Sequence, residues 1–139
     1  GLAQGTDQHD APQKEVAMTV TIQSLRDAWS ETEFQKNLIA LAQGLGFKVA
    51  HFRAVKVQRK DGSVYHTTPV QADGKGFCDL VVAGHGRHFF AELKDNRGSV
   101  KPEQKAWIDL LRGGGATVFV WKPKQWEEIA ALLEKWAKE

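Results

Sequence analysis

The stretch Gly-Phe-Cys-Asp-Leu-Val-Val-Ala-Gly-His-Gly-Arg-His-Phe-Phe-Ala-Glu-Leu-Lys, residues 76–94, limits what this chain can fold into more than any other. Its apolar run at 79–83 and its aromatic and apolar run at 88–94 predict two strands, with Gly84, His85, Gly86 and Arg87 supplying the turn between them. Three charges interrupt this hydrophobic hairpin. Asp79 opens the first strand, while Glu92 and Lys94 are two apart on the second, so a strand's period of two puts them on one face. Charge therefore gathers at one end of a sheet that is otherwise apolar.

Burying two carboxylates and an ammonium costs free energy unless the charges pair or hold a metal. Acids from neighbouring strands make a hard-oxygen site suited to Mg²⁺ or Mn²⁺, ions that keep several waters and take a phosphate oxygen as a further ligand. The Lys94 ammonium beside them is placed to polarise an attacking water or to neutralise charge developing on phosphorus. The competing reading is a solvated edge strand on which Glu92 and Lys94 simply pair with each other.

Length and composition narrow the classes. A chain of 139 residues is one domain with a single core, so any specificity must come from loops or a second subunit. Hydrophobic content of 42%, with five Trp and seven Phe, supports a packed core, and no apolar run is long enough to span a bilayer. The single cysteine, Cys78, rules out an intramolecular disulfide, fits a reducing cytoplasm and reads as a small buried hydrophobe. His51, His85 and His88 lack the spacing of a zinc cluster, and no organic cofactor is expected. A net charge of +2 permits nucleic-acid binding without arguing for it; the distribution of the charge says more.

Residues 1–22 are polar and without periodicity, which predicts a mobile tail ahead of a folded unit at 23–139, with a short helical turn at 24–29. A helix is predicted over 31–43 from the spacing of Phe34, Leu38, Leu41 and Ala42, with Ser30 as N-cap and Glu33 at the third helical position. After a strand at 47–53, residues 56–66 read as a hairpin turning at Asp61-Gly62. Arg53, Lys56, Arg59 and Lys60 make this the most basic stretch, an arm expected to track DNA phosphates; the plainer reading is an exposed polar hairpin. Arg97 and Lys101, just past Lys94, are further candidate DNA contacts. Pro102 suits the first turn of a helix carrying Gln104, Trp107, Ile108 and Leu111 on one face, and Gly113-Gly114-Gly115 ends it before a strand at 116–121. A last helix begins near Pro123, with Trp126, Ile129, Leu133 and Trp136 at helical spacing. This order of elements predicts an α/β domain with a mixed central sheet flanked by helices.

Asp79, twelve intervening residues and then Glu92-Leu93-Lys94 resemble the pattern of the PD-(D/E)XK nuclease superfamily. The segment Lys-Pro-Glu-Gln-Lys-Ala-Trp-Ile-Asp-Leu-Leu-Arg from Lys101, followed by Gly-Gly-Gly-Ala-Thr-Val-Phe-Val-Trp-Lys-Pro, is similar to its VRR-NUC branch, and the likeness extends over about 31–133. The family's usual Pro-Asp stands here as Cys78-Asp79; proline is not a ligand, so the change bears on the stiffness of the strand start. The resemblance implies a restriction-endonuclease-like core and a Mg²⁺-dependent or Mn²⁺-dependent DNA endonuclease. Asp79, Glu92 and the Leu93 carbonyl would hold metal, Lys94 would position or activate water, and Gln104 would stand at the edge of the site. It also implies an acidic contribution from the first helix, for which Glu33, Glu31 and Gln35 are the candidates, Glu33 being equally a capping-box residue. Relatives of this kind include enzymes of branched DNA and phage-type nucleases, so the implied substrate is branched or junction DNA cut by a homodimer, with flap or single-stranded DNA second. A non-catalytic nucleic-acid-binding module on the same fold is the alternative.

Overall fold

The computed structural model describes residues 22–52, 55–67 and 70–139. A helical stretch at 22–27, whose first residue lies inside the predicted tail, leads to α1 (Glu31–Gly44). Ser30 caps α1 as its sequence predicts, accepting from the Glu33 N–H at 3.1 Å, while the Ser30 hydroxyl donates to Glu33 Oε1 at 3.1 Å. This closes the helix start locally, and Phe34, Leu38 and Ala42 turn inward one helical turn apart.

Strand β1 (Lys48–His51) follows, then β2 (Val55–Gln58) and β3 (Val64–Thr67), which among the described residues pair only with each other, as a two-stranded sheet. Their turn is held by Asp61, whose Oδ1 accepts from the Ser63 N–H and hydroxyl at 2.9 and 2.6 Å. The main sheet continues with β4 (Leu80–Gly84) and β5 (Arg87–Leu93), joined by a tight turn in which His85 and Gly86 both have positive φ, 52° and 75°. Positive φ at both central residues is the two-residue hairpin geometry whose twist matches the strands. Helix α2 (Pro102–Gly113) then crosses over to β6 (Val118–Trp121), which lies parallel to β5. A single 3₁₀ turn (Pro123–Gln125) leads into α3 (Trp126–Lys138).

The strand order β1-β4-β5-β6, antiparallel except for the last pair, is the mixed sheet expected from the order of elements. Alternation along the strands divides the apolar residues between two faces. One face carries Leu80, Val82, Phe89, Ala91, Leu93 and Trp121 against Phe34, Leu38 and Ala42 of α1 and Ile129 and Leu133 of α3. The opposite face packs Phe90, Val118 and Val120 against Ile108 and Leu111 of α2, with Cys78 buried among them. Each large side chain so buried contributes about 1.5–3 kcal/mol. Trp136, an expected core residue, lies against Phe89 and Phe119 at 5.6 and 6.1 Å, and Trp126 against Trp29 at 5.2 Å.

His85, expected as a turn residue, ties the hairpin tip to the end of α1 through Nε2 and the Leu45 carbonyl at 2.7 Å. That fixes one end of the sheet. The chemistry-bearing residues lie at the other end, where β1 and β5 finish and β4 begins.

Candidate metal centre and its cleft

Register brings the two acids together. Leu80 pairs with Ala91, so the next step along both strands sets Asp79 opposite Glu92, and the Phe52 N–H donates to the Asp79 carbonyl at 2.9 Å on the other side. Phe52, Asp79 and Glu92 thus form a row across three neighbouring chain segments. Asp79 is fixed by its own hairpin, its Oδ2 accepting from the Leu93 N–H at 2.7 Å. Gly76 seats the approach to this strand. Its φ is +85°, and a Cβ there would lie 2.5 Å from the Glu103 carbonyl oxygen of α2, a spacing only glycine allows.

Glu92 is fully buried, and neither of its carboxylate oxygens has a hydrogen-bond partner. Lys94, 6% exposed, brings Nζ to 3.5 Å from Glu92 Oε1, an ion pair too long to count as a hydrogen bond. Burial, and then the Asp79 charge, push the Glu92 carboxyl up to about 8, with Lys94 pulling in the opposite direction. Burial raises Asp79 as well, opposed by the Leu93 N–H. Cys78 follows the same logic: desolvation first, then the Glu92 charge, pushes its thiol up to about 12, as for an inert core residue. Keeping both carboxyls ionised in this low dielectric is costly, which is why Glu92 holds its proton towards neutral pH, and a divalent cation would remove that cost.

Of the three first-helix candidates, Glu31 is the one whose carboxyl senses the centre. It is raised by burial and then by the Asp79 charge, while Lys94 and Lys101 lower it. Glu33 is exposed and occupied in the Ser30 capping box. Gln35 follows Glu31 on the same face of α1, and both line a cleft of about 870 Å³ that ends at Asp79. Its other lining residues include Lys36 of α1, His51 and Phe52 at the end of β1, and His66 of β3.

The remaining expected site residues are more dispersed. Gln104 spends its side-chain carbonyl on the Lys101 N–H at 2.9 Å, closing the start of α2. Lys101 is exposed yet near enough to act on Glu31, which puts it on the rim. Arg97 is exposed in the loop after Lys94, where its N–H donates to Asp95 Oδ1 at 3.0 Å. Lys56 and Lys60 are exposed on the β2–β3 hairpin, and Arg59 stacks its guanidinium on Tyr65 at 4.3 Å. Arg53 lies outside the described residues. Phe52 and His66 as cleft residues were not legible beforehand: Phe52 reads as one more apolar strand residue, and only the β1–β4 register turns it towards Asp79.

Among the described residues, no three His, Cys, Asp or Glu side chains converge into a ready-made metal cage. Magnesium and manganese do not require one, since they bind through one or two carboxylates and complete their shells with water and substrate oxygens. The unpartnered oxygens of Glu92 beside Asp79 suit that kind of ion. Compared with known families, curated proteins and solved structures, the chain matches none.

Proposed function

We propose that this chain is a metal-dependent DNA endonuclease hydrolysing phosphodiester bonds, with a restriction-endonuclease-like core of the VRR-NUC kind. The observation that carries the reading is the fully buried Glu92, neither oxygen hydrogen-bonded, facing Asp79 with the Lys94 ammonium 3.5 Å from Oε1. A fold that needed these charges only for stability would have satisfied them, because a half-paired buried network is worse than an apolar one.

In this reading Asp79, Glu92 and the Leu93 carbonyl hold Mg²⁺ or Mn²⁺, with Glu31 beside them. The bound ion supplies positive charge at a phosphate oxygen and a more acidic water. Lys94 Nζ, kept in place by Glu92, donates a hydrogen bond to the attacking water or to the phosphate oxygen on which charge builds. Asp79 is oriented by the Leu93 N–H, so ligand geometry is set before substrate arrives. Lys101 at the rim and Lys56 on the hairpin hold DNA phosphates and contribute a salt-dependent attraction.

The test is cleavage of four-way, flap, linear duplex and single-stranded DNA in Mg²⁺ or Mn²⁺, with solution mass measured in parallel to find whether two copies present two sites. Asp79→Ala and Lys94→Ala should each lower cleavage by about a hundredfold to a thousandfold, the scale of removing charge stabilisation at the reacting centre, with DNA binding retained. Metal-independent cleavage, or binding without any cleavage, would overturn the assignment; the second result would leave a nucleic-acid-binding module.

A further inference from the structure

The cleft that ends at Asp79 has walls of unlike chemistry. One is the face of α1 carrying Glu31, Gln35 and Lys36; another is the hairpin face carrying His66, whose cross-strand partner is Lys56. A pair directly opposite in an antiparallel ladder projects from the same face, so Lys56 stands beside His66 at that wall. Between the walls lies Phe52, anchored by its N–H to the Asp79 carbonyl and braced edge-on by Phe77 at 5.1 Å. Phe77 is itself braced by Trp107 of α2 at 5.0 Å. Phe52 is therefore a half-buried lining residue of the cleft whose ring is held in place by its aromatic neighbours, close to the acid pair.

We infer that this cleft receives a single unpaired DNA strand, one base resting on Phe52 and the backbone phosphates directed to Lys36, Lys56 and His66. The inference rests on the nuclease reading only in that the strand's path ends at Asp79. A duplex keeps its bases stacked inside and offers a surface cleft nothing but sugar and phosphate, against which an apolar ring gains little. An unpaired nucleotide offers a base face, and basic groups flanking an aromatic platform are the combination by which single strands are held. A volume of about 870 Å³ is room for a short run of such nucleotides.

The experiment is fluorescence anisotropy in EDTA, so that no metal-dependent cleavage intervenes, with a labelled mixed-sequence oligonucleotide either free or annealed to its complement. The full chain should bind the free strand at least about tenfold more tightly than the duplex. Phe52→Leu keeps apolar bulk against Phe77 but removes the aromatic face, and should lose about tenfold on the single strand alone; Phe52→Tyr, which keeps the ring, should not. A purely structural Phe52 would instead lower the melting temperature and affect both DNA forms alike. Lys36→Gln should reduce the salt slope of single-strand binding by about 0.7. Equal affinity for strand and duplex, or wild-type binding by Phe52→Leu, overturns the inference even if the protein cleaves DNA. Selective, Phe52-dependent binding without cleavage in Mg²⁺ or Mn²⁺ upholds it while removing the nuclease reading.

Discussion

Glu92 is the residue on which stability and chemistry pull apart. Its carboxyl is raised from an ordinary 4.5 to about 8, so between those values the folded chain binds a proton that the unfolded chain has released. More protons on the folded state means that stability falls as pH rises across this window. Metal-free protein should therefore lose resistance to urea from about pH 5 to pH 8. Glu92→Gln, which keeps the shape without the charge, should flatten that slope and gain roughly 1–3 kcal/mol at pH 8 while abolishing cleavage. Unfolding midpoints of both proteins over the pH range check this. A second residue-scale prediction separates neighbours on α1. Glu31→Gln should weaken Mg²⁺-dependent cleavage tenfold or more, on the scale of losing a metal ligand or a group that orients one, whereas Glu33→Gln should cost only a few tenths of a kcal/mol of stability and leave cleavage as it was. The sequence named both as candidates. Two residues of spacing on a helix start do not reveal which side of the first turn faces a partner strand, and the Ser30 capping box claims only one of the two acids.

At the scale of elements, much of the fold could be read directly from residue order. The Ser30 cap, the Asp61-Gly62 turn, Pro102 at a helix start and the run of glycines at 113–115 are local signals, and each acts where it stands. Asp79 beside Glu92 was legible too, because a two-residue turn leaves few registers for the hairpin around it. The cleft was not, since it depends on β1 pairing with β4 across a long stretch of chain and on a hairpin that sits in its own sheet. The Gln104 side chain also escaped: its helical face was readable, but a capping bond to Lys101 competes with any contact to the site. Gly76 tests how α2 and β4 depend on each other. Gly76→Ala would combine a left-handed backbone with a Cβ driven into the Glu103 carbonyl, and should destabilise by roughly 2–4 kcal/mol. Urea unfolding measures the loss. Because the shift falls three residues before Asp79, cleavage should drop at temperatures where the variant is still folded.

For the molecule as a whole, the proposed cation binding would be linked to proton release. A divalent ion must displace the proton that Glu92 holds near neutral pH, so affinity for Mg²⁺ should increase from pH 6 to pH 8. Calorimetry at pH 7 in buffers of different ionisation enthalpy should detect approaching one proton released per ion. Thermal denaturation offers an independent check: at a metal concentration about a hundred times Kd, the added stability should approach about 2.7 kcal/mol, and this gain should vanish in Glu92→Gln. Among the described residues, no helix is long and apolar enough to cross a membrane.

The sheet's two ends are built differently. At the end where His85 grips Leu45, the chain turns tightly; at the other, the segments that follow Lys94 and precede Asp79 lie outside the strands. Such a rim lets peptide be grafted or shortened beside the acids while the two apolar layers behind them stay intact. Changing what this scaffold receives is thus a matter of editing the connections at one edge, without redesigning the interior.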